Sequence, residues 1–300
     1  YYQVANISGI REDGSYVTFK PIANFEGTYY GNGYVISDIS IVGNAKFQDI
    51  ENAPQFVGLF ANANNAVIQG VKVINGSVYA SSSALYIGGI AGLVENSMLI
   101  QNTFQGYVLA YDIEESIEIG GIVGRAVDSQ VTSNMAVGYI KAYSDKGIRA
   151  GGILGAYSIL LEDPDRDTII ADNTSFMEIT AVAGDTVQSS AGGVVGFIED
   201  LEVYYFTDAP NSYLANSIYL NGSTLAHSIG NYTDTTGATT YDEYAQQDGE
   251  VINLVNTYVI RHYLLPNGNV GTSDNVIEIT NYRQLSLLRL YSFANFSMSS

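Results

Sequence analysis

A glycine-rich phrase returns five times in the first 200 residues, and it limits the fold of the chain more than any other feature. It reads VGLFA, IGGIAG, IGGIVG, AGGILG and AGGVVG. Its marker glycines lie 31, 32, 31 and 41 residues apart, at Gly58, Gly89, Gly121, Gly152 and Gly193. A fixed period of roughly 20 to 50 residues is typical of stacked repeats, in which each unit buries its apolar face against the next. The sequence therefore predicts a repeat architecture.

Other positions keep the same period. A site with Gly or Asn follows the marker at Gly70, Asn102, Asn134 and Asn173. An aliphatic residue stands three positions earlier, at Val67, Leu99, Val131 and Ile170. A β-branched residue and then an alanine come later in each repeat, at Val78 and Ala80, Val108 and Ala110, Ile140 and Ala142, and Ile179 and Ala181. Short β-branched runs between Gly, Asn and Ser predict strands joined by tight corners.

The pattern predicts an all-β parallel solenoid of about thirty residues per coil. We expect one interior aliphatic column made of Leu59, Ile90, Ile122, Ile153 and Val194, with the residue after each facing the other way or lining the next corner. The paired glycines suit either a corner with positive φ or a close approach of adjacent backbones. The recurrent asparagines suit a left-handed corner and a stacked amide ladder.

These phrases resemble the GLUG repeat of bacterial and archaeal cell-surface proteins. The stretch FEGTYYGNGYVISDISI, residues 25–41, resembles the coil that precedes such repeats, although Tyr30 stands where the family has Asp. The resemblance covers roughly residues 20–200. It implies a right-handed β-helix of the kind found in adhesins, large surface proteins and the non-catalytic region of some immunoglobulin-A-cleaving metallopeptidases. A solenoid is a scaffold for many functions, so the resemblance is specific to the fold.

The rest of the chain is less regular. We expect a β-helix over 1–200, degenerate coils and loops over 201–278, and a short helix plus strand over 279–300, with Thr280 as the helix N-cap. Read from tail to head, residues 279–300 lead into residues 1–40 as one motif. This predicts either a tandem array or a subunit that completes the next copy, and both give a linear fibre. The alternative is a capping segment at each end.

Composition excludes several classes of function. The chain has 31 acidic and 12 basic residues, a formal net charge of −19 and no cysteine. This charge disfavours nucleic acid and anionic lipid, and no apolar run reaches the roughly 18 residues of a membrane span. Low charge density with many Tyr, Asn, Ser and Thr favours an extracellular or cell-surface location. Six Asn-x-Ser/Thr triplets are candidate glycosylation acceptors, at Asn6, Asn75, Asn173, Asn221, Asn231 and Asn295.

One loop carries a candidate metal site. Asp163, Asp165 and Asp167 alternate in an insertion, and such carboxylates can converge on Ca²⁺. The glycine and distal Glu of a full calcium loop are missing, so the alternative is a solvated acidic loop. We expect no other cofactor. A second group, Asp112, Glu114, Glu115 and Glu118, is interpreted as a charged rim that blocks edge pairing.

No catalytic motif is present, and the basic residues show no shared offset from the marker glycine, so we expect no enzyme. Tyrosines recur beside the expected corners, at Tyr86, Tyr107, Tyr111, Tyr139, Tyr143 and Tyr157, where they suit stacking on sugars, a neighbouring filament or plain packing. The first hypothesis is therefore a structural subunit or module of an extracellular filament or tandem surface protein, assembling head to tail with copies of itself. A carbohydrate-binding or adhesive module that binds surface glycans is the second, and a polysaccharide lyase or hydrolase is a remote third.

Overall fold

The computed structural model describes residues 1–43, 56–82, 85–113, 115–158, 170–199, 211–214 and 217–233, and short strands at 249–252, 277–279 and 296–298. These residues contain strands and turns but no helix, which confirms the all-β prediction for them. The chain divides into two units, residues 1–250 and 251–300. The helix predicted from Thr280 lies outside the described residues.

The first strands and the repeats up to the fourth phrase contain β1 (Ile7–Ser8), β2 (Thr18–Phe19), β3 (Phe25–Tyr30), β4 (Val35–Ser37), β5 (Ser40–Gly43), β6 (Phe56–Val57), β7 (Phe60–Gln69), β8 (Lys72–Ser82), β9 (Tyr86–Gly88), β10 (Ala91–Glu95), β11 (Met98–Ile100), β12 (Thr103–Ile113), β13 (Ile117–Gly120), β14 (Val123–Val127), β15 (Gln130–Thr132), β16 (Met135–Ser144), β17 (Ile148–Gly151) and β18 (Leu154–Ser158). The remainder contains β19 (Ile170–Ala171), β20 (Thr174–Ala183), β21 (Ser190–Gly192), β22 (Val195–Ile198), β23 (Asn211–Leu214), β24 (Ile218–Leu220), β25 (Ser223–Leu225), β26 (Ile229–Tyr232), β27 (Gly249–Ile252), β28 (Ile277–Ile279) and β29 (Phe296–Met298).

Three parallel sheets organise the first unit. Sheet I contains β1, β4, β8, β12, β16, β20 and β23 in that order. Sheet II runs β19-β15-β11-β7-β10-β14-β18-β22-β26, and sheet III runs β21-β17-β13-β9-β6. After a marker glycine the chain enters sheet II, then sheet I, then sheet III, so each full repeat contributes to all three. In the second unit, β28 pairs in parallel with β29.

The sheets pair equivalent residues of successive repeats. In sheet I, Val108 lies opposite Val78 on one side and Ile140 on the other, and Ala110 lies opposite Ala80 and Ala142. These inward residues are fully buried, while the residues between them face outward, as the period of two in a strand requires. The parallel-sheet prediction and the predicted Val/Ile and Ala positions are confirmed.

The predicted aliphatic column is also present. Leu59, Ile90, Ile122, Ile153 and Val194 are all buried members of the hydrophobic core. The Ile90 amide donates to the Ile122 carbonyl at 2.9 Å, and the Ile122 amide donates to the Ile153 carbonyl at 3.0 Å. The residues that follow them, such as Ala91 and Val123, pair in register in sheet II and are buried as well. The bend after each marker glycine therefore lets two consecutive residues enter the core.

The first repeat is out of step with the predicted alignment by one residue. Thr103 pairs with Lys72, so the position equivalent to Asn102 is Val71 rather than Gly70. Leu99 likewise pairs with Ile68, not with Val67. The register shifts back between Ile74 and Gly76, where Asn75 adopts a φ of 53° as an extra residue. A β-bulge thus restores the alignment of Val78 and Ala80.

The regular pairing continues past residue 200. Asn211 begins β23, which pairs with β20, and Ile229 in β26 pairs with Val195 in β22. An antiparallel pair joins β24 and β25 through a turn at Asn221 and Gly222, both with positive φ. The period fades in the sequence here because Ala226 and His227 stand where the earlier phrases have the diglycine, just before Ser228, Ile229 and Gly230.

Candidate functional site

A ladder of buried asparagine side chains runs along the corner between sheets II and I. Asn102 Nδ2 donates to Asn134 Oδ1 at 3.0 Å, and Asn134 Nδ2 donates to Asn173 Oδ1 at 3.1 Å. Asn173 Nδ2 continues to Asn211 Oδ1 at 2.9 Å. Each Oδ1 also accepts the backbone amide of the preceding repeat, beginning with Val71 at 3.0 Å. The sequence predicted the ladder at Asn102, Asn134 and Asn173 but missed Asn211.

The left-handed conformation at this corner belongs to the residue before each asparagine. Gly70, Gln101, Ser133 and Asp172 have φ between 55° and 68°, whereas the asparagines do not have positive φ. The prediction of left-handed asparagines is therefore wrong by one position. The asparagine must remain in an ordinary conformation so that its side chain can point along the stack and bond the repeats on both sides.

The marker glycines lie at bends between sheets III and II, but Gly58, Gly89, Gly121, Gly152 and Gly193 do not have positive φ. A Cβ on Gly121 would collide with the Gly152 carbonyl oxygen and would lie 2.7 Å from the Ala136 Cβ. Close approach, the second explanation from the sequence, is therefore the one that the structure supports. In the phrases that end in glycine, this last glycine allows close approach on the outer side of the bend, because a Cβ on Gly124 or Gly155 would collide with the backbone of sheet III.

On the outer side of these bends, side chains of sheet III meet side chains of sheet II in a group that we call the bend cluster: Tyr86, Glu118, Arg125, Arg149, Phe197 and Glu199. Glu118 Oε1 accepts hydrogen bonds from Arg125 Nη1 at 2.8 Å and from Arg149 Nη1 at 3.0 Å. Arg125 Nη2 reaches Glu199 Oε2 at 2.8 Å. The Arg149 guanidinium carbon lies 3.8 Å from the centre of the Phe197 ring.

Glu118 is the buried centre of this cluster. Its exposed fraction is only 7%, so the interpretation of Glu118 as a solvated rim charge is wrong. Its Oε2 is buried and has no hydrogen-bond partner among the residues that the structure describes. Burial raises the pKa of the Glu118 carboxyl, and the attraction of Arg125 and Arg149 opposes this rise without cancelling it.

For Arg125 the neighbouring charges outweigh burial, whereas for Glu118 burial outweighs the neighbouring charges. Burial alone would lower the pKa of its guanidinium, but Glu118, Tyr86 and Glu199 together raise it. The cluster therefore holds Arg125 as a cation that bridges two carboxylates. The two acids differ in environment, since the Glu118 side chain is 9% exposed and the Glu199 side chain is 46% exposed.

A cavity of about 210 Å³ opens beside the cluster. Its lining combines apolar and polar groups: Leu85, Tyr86, Ser116, Ile117, Glu118, Gly147, Arg149 and Gln188. Tyr86 is held flat against Phe56, with ring centres 5.4 Å apart and an angle of 3° between the planes. Burial, followed by the negative charge of Glu118, raises the pKa of the Tyr86 hydroxyl.

Sequence reasoning missed this site although a signal was present. Tyr86, Glu118 and Arg149 each stand three residues before a marker glycine, and Arg125 and Phe197 each stand four residues after one. Glu118 and Arg149 have the same offset from their marker glycines although one is acidic and the other basic, and this shared offset places them opposite each other in adjacent strands of sheet III.

A second surface is aromatic. Tyr107 and Tyr139 stack at 5.4 Å, and Tyr111 stacks on Tyr143 at 5.0 Å and on Tyr79 at 6.1 Å. These five tyrosines, the tyrosine face, lie on the outer side of sheet I. Tyr157 is different, because it is fully buried and its hydroxyl donates to the Ser129 carbonyl at 3.0 Å.

The remaining predicted site residues are the candidate calcium ligands and the candidate glycosylation acceptors. Asp163, Asp165, Asp167 and Asn295 lie outside the described residues. Asn6, Asn75, Asn221 and Asn231 are at the surface or half-buried, whereas Asn173 is fully buried and both hydrogens of its amide are bonded, which leaves no room for a glycan.

The described part of the chain contains no group of three or more His, Cys, Asp or Glu side chains arranged to hold a metal ion. No helix long and apolar enough to cross a membrane occurs in it. Comparisons with protein-family models, with curated proteins and with solved structures find no significant match to this chain. The resemblance to GLUG repeats therefore stays a prediction.

Proposed function

We propose that this chain is a structural, non-enzymatic module of an extracellular filament or tandem-repeat surface protein, joined head to tail to further modules like itself. We propose that its fold is a right-handed parallel β-helix of about thirty residues per coil, related to the GLUG repeats. The in-register pairing of equivalent residues in three parallel sheets supports the β-helix, because each full repeat returns to the same sheet one strand further along.

The observation that carries the proposed assembly is the N-terminal edge of sheet I. There β1 pairs with β4 and with no other strand of the part of the chain that the structure describes. Apolar residues here are open to solvent: Ile7 in β1 is 48% exposed, Val4 before it is 78% exposed, and Tyr2, which is bridged to Tyr30 at the neighbouring edge of sheet II, is 68% exposed. An apolar edge strand with unpaired backbone groups is a template for another strand, and soluble proteins normally cover or charge it.

A further module of the same kind is a suitable occupant of this edge. Each described repeat presents its neighbour with parallel strands and an inward apolar column, and the N-terminal edge presents the same kind of surface. Addition of a like surface at one end is a heterologous contact, which propagates as a line when it does not close into a ring. The partner module is either the next one in the same chain or a second copy of it.

The test is a matched pair of charge substitutions. Val4→Glu places a carboxylate at the proposed junction, and Val187→Glu places one at a comparably exposed site, since Val187 is 88% exposed, in the loop between β20 and β21. We expect the wild type and Val187→Glu to form filaments at high concentration in electron micrographs and sedimentation, and Val4→Glu to remain dispersed. Equal assembly of the two variants would contradict the proposed junction, and no assembly by the wild type would contradict assembly from separate copies.

We propose carbohydrate binding as a second candidate function, and the tyrosine face supports it. Stacked rings on one side of a sheet offer a flat, partly apolar surface with hydroxyl groups, which suits the faces and hydroxyls of sugars. Tyr143 is 38% exposed, and Lys141 Nζ lies 5.3 Å from the Tyr139 ring centre. Replacement of Tyr139 and Tyr143 by alanine should reduce retention on a glycan array, and unchanged retention would rule out the tyrosine face as the binding surface.

A further inference from the structure

We propose that the cavity beside the bend cluster is a binding site for one neutral sugar residue, held by Glu118, Arg149 and Gln188. This inference rests on the second candidate function, carbohydrate binding, and assigns it a site separate from the tyrosine face. The site lies on sheet III at the glycine bend, whereas the tyrosine face lies on sheet I.

The first argument is an incomplete hydrogen-bond set. Glu118 is 7% exposed and lines the cavity, and its Oε2 has no partner in the described part of the chain although its Oε1 accepts from two arginines. Buried polar atoms are almost always bonded, so an unpartnered one in a native structure marks a place where a donor is missing. A hydroxyl group of a bound sugar is such a donor.

The second argument is the mixture of groups in the wall. Glu118 accepts, Arg149 donates, and the Gln188 amide and the Ser116 hydroxyl can do both. Sugar hydroxyls also donate and accept, so they match a wall that offers both kinds of partner. Leu85 and Ile117 contribute the apolar part, and a few fixed polar groups in an apolar wall are what a small-molecule site requires.

The volume of the cavity and the charges around it limit the class of ligand that fits. The cavity of about 210 Å³ is smaller than the roughly 300–1,000 Å³ of sites for drug-sized ligands, which limits the occupant to about one ring. The charges of Glu118 and Glu199 are matched by Arg125 and Arg149, so an ionic ligand would leave an unpaired charge in a buried place. The net charge of −19 further disfavours an acidic sugar.

The architecture explains how the site is held. Glu118 and Arg149 are fixed by neighbouring strands of sheet III, and Arg125 reaches them from β14 in sheet II. The bend glycines make this possible, since a side chain at Gly124 or Gly155 would collide with the backbone of sheet III. Glu118 and Arg149 are therefore positioned on paired strands before any ligand arrives, which lowers the entropic cost of binding, while Gln188 reaches the cavity from the turn between β20 and β21.

The test uses the whole chain and a panel of neutral methyl glycosides, with glucuronate and glucosamine as charged comparators, followed by NMR titration. We expect a neutral glycoside to bind with a Kd on the order of 1 mM, and Glu118→Gln and Gln188→Ala each to weaken it about tenfold. Tyr16→Ala, at an exposed tyrosine outside both the cavity and the tyrosine face, is the control and should leave this affinity unchanged, and Tyr139→Ala tests the tyrosine face as the alternative site. Gln188 is exposed, so its variant should keep the wild-type unfolding midpoint even where Glu118→Gln does not.

Each other result has a distinct meaning. Binding that survives both cavity substitutions but disappears in Tyr139→Ala overturns the assignment of the site and leaves carbohydrate binding intact. Tighter binding of a charged comparator overturns the neutral-sugar assignment. If no saccharide binds at millimolar concentration, both the cavity site and the second candidate function fail.

Discussion

The asparagine ladder makes a quantitative prediction for Asn134→Ala. Asn134 Oδ1 accepts from the Asn102 backbone amide and from Asn102 Nδ2, both at 3.0 Å. Its Nδ2 donates to the Leu99 carbonyl at 2.9 Å and to Asn173 Oδ1 at 3.1 Å. Alanine removes all four bonds and leaves two donors of Asn102 without an acceptor in a place that water does not reach.

The expected loss follows from these contacts. A buried hydrogen bond contributes about 1 kcal/mol net, and an orphaned buried donor costs about 1–3 kcal/mol, so the four bonds predict a loss of about 4 kcal/mol. Domains are stable by only about 5–15 kcal/mol, so this one substitution should remove a large share of the free energy of unfolding.

The assay is urea unfolding followed by circular dichroism, with Asn62→Ala as the control. Asn62 is an asparagine at the surface, where its Nδ2 bonds Asn24 Oδ1 at 3.0 Å in contact with solvent. That variant should lose less than about 1 kcal/mol, because water replaces the lost partner. Equal losses in Asn134→Ala and Asn62→Ala would refute the view that the ladder stabilises the stack.

Two further predictions concern the marker glycine Gly121 and the buried carboxyl of Glu118. Gly121→Ala should destabilise the fold by about 3 kcal/mol or more, since the added methyl meets the fixed Gly152 carbonyl oxygen. The control Gly14→Ala, whose methyl meets nothing within 4 Å, should cost only the roughly 1–2 kcal/mol of its left-handed backbone. A smaller decrease in melting temperature for Gly121→Ala than for Gly14→Ala would contradict the close-approach explanation. For Glu118, burial raises the folded-state pKa above its ordinary value of 4.5, so the stability it contributes is fully present below that value and is lost as pH rises through the folded-state pKa. Urea unfolding between roughly pH 4 and 7 should therefore show the free energy of unfolding of the wild type falling relative to that of Glu118→Gln as pH rises. A relative rise for the wild type would contradict the assigned direction of the pKa shift.

Much of the fold could be predicted because the repeat imposes one rule on many residues. The column through Ile90, Ile122 and Ile153 follows from period alone, since stacked repeats bring equivalent residues into contact. The first repeat was misaligned by one residue because Gly70 satisfies the left-handed corner that Gln101 and Ser133 occupy elsewhere, and glycine there looked equivalent to asparagine. An inserted Asn75 then hid the error further along the strand.

The bend cluster could not be read in the same way. Its members differ in chemistry from repeat to repeat, so a search for like residues at like offsets passes over them. The burial of Glu118 also depends on Arg125, which comes from a different sheet and becomes a neighbour only through the glycine bend. The sequence therefore predicts where repeats align, while contacts across the bend require the three-dimensional arrangement.

The amide ladder has a direction, because Asn102, Asn134 and Asn173 each donate from Nδ2 to the Oδ1 of the next ladder asparagine in sequence. Excision of one whole period, such as residues 89–120, would bring the backbone amide of Val71 to the Oδ1 of Asn134 and rejoin the same donors to the same acceptors. Excision of part of a strand would instead put the columns beyond the cut out of register with those before it. Apart from positions that already vary in length, such as the extra Asn75 and the 41-residue step between Gly152 and Gly193, the chain should therefore gain and lose length in whole units, and relatives of different size should differ mainly in copy number.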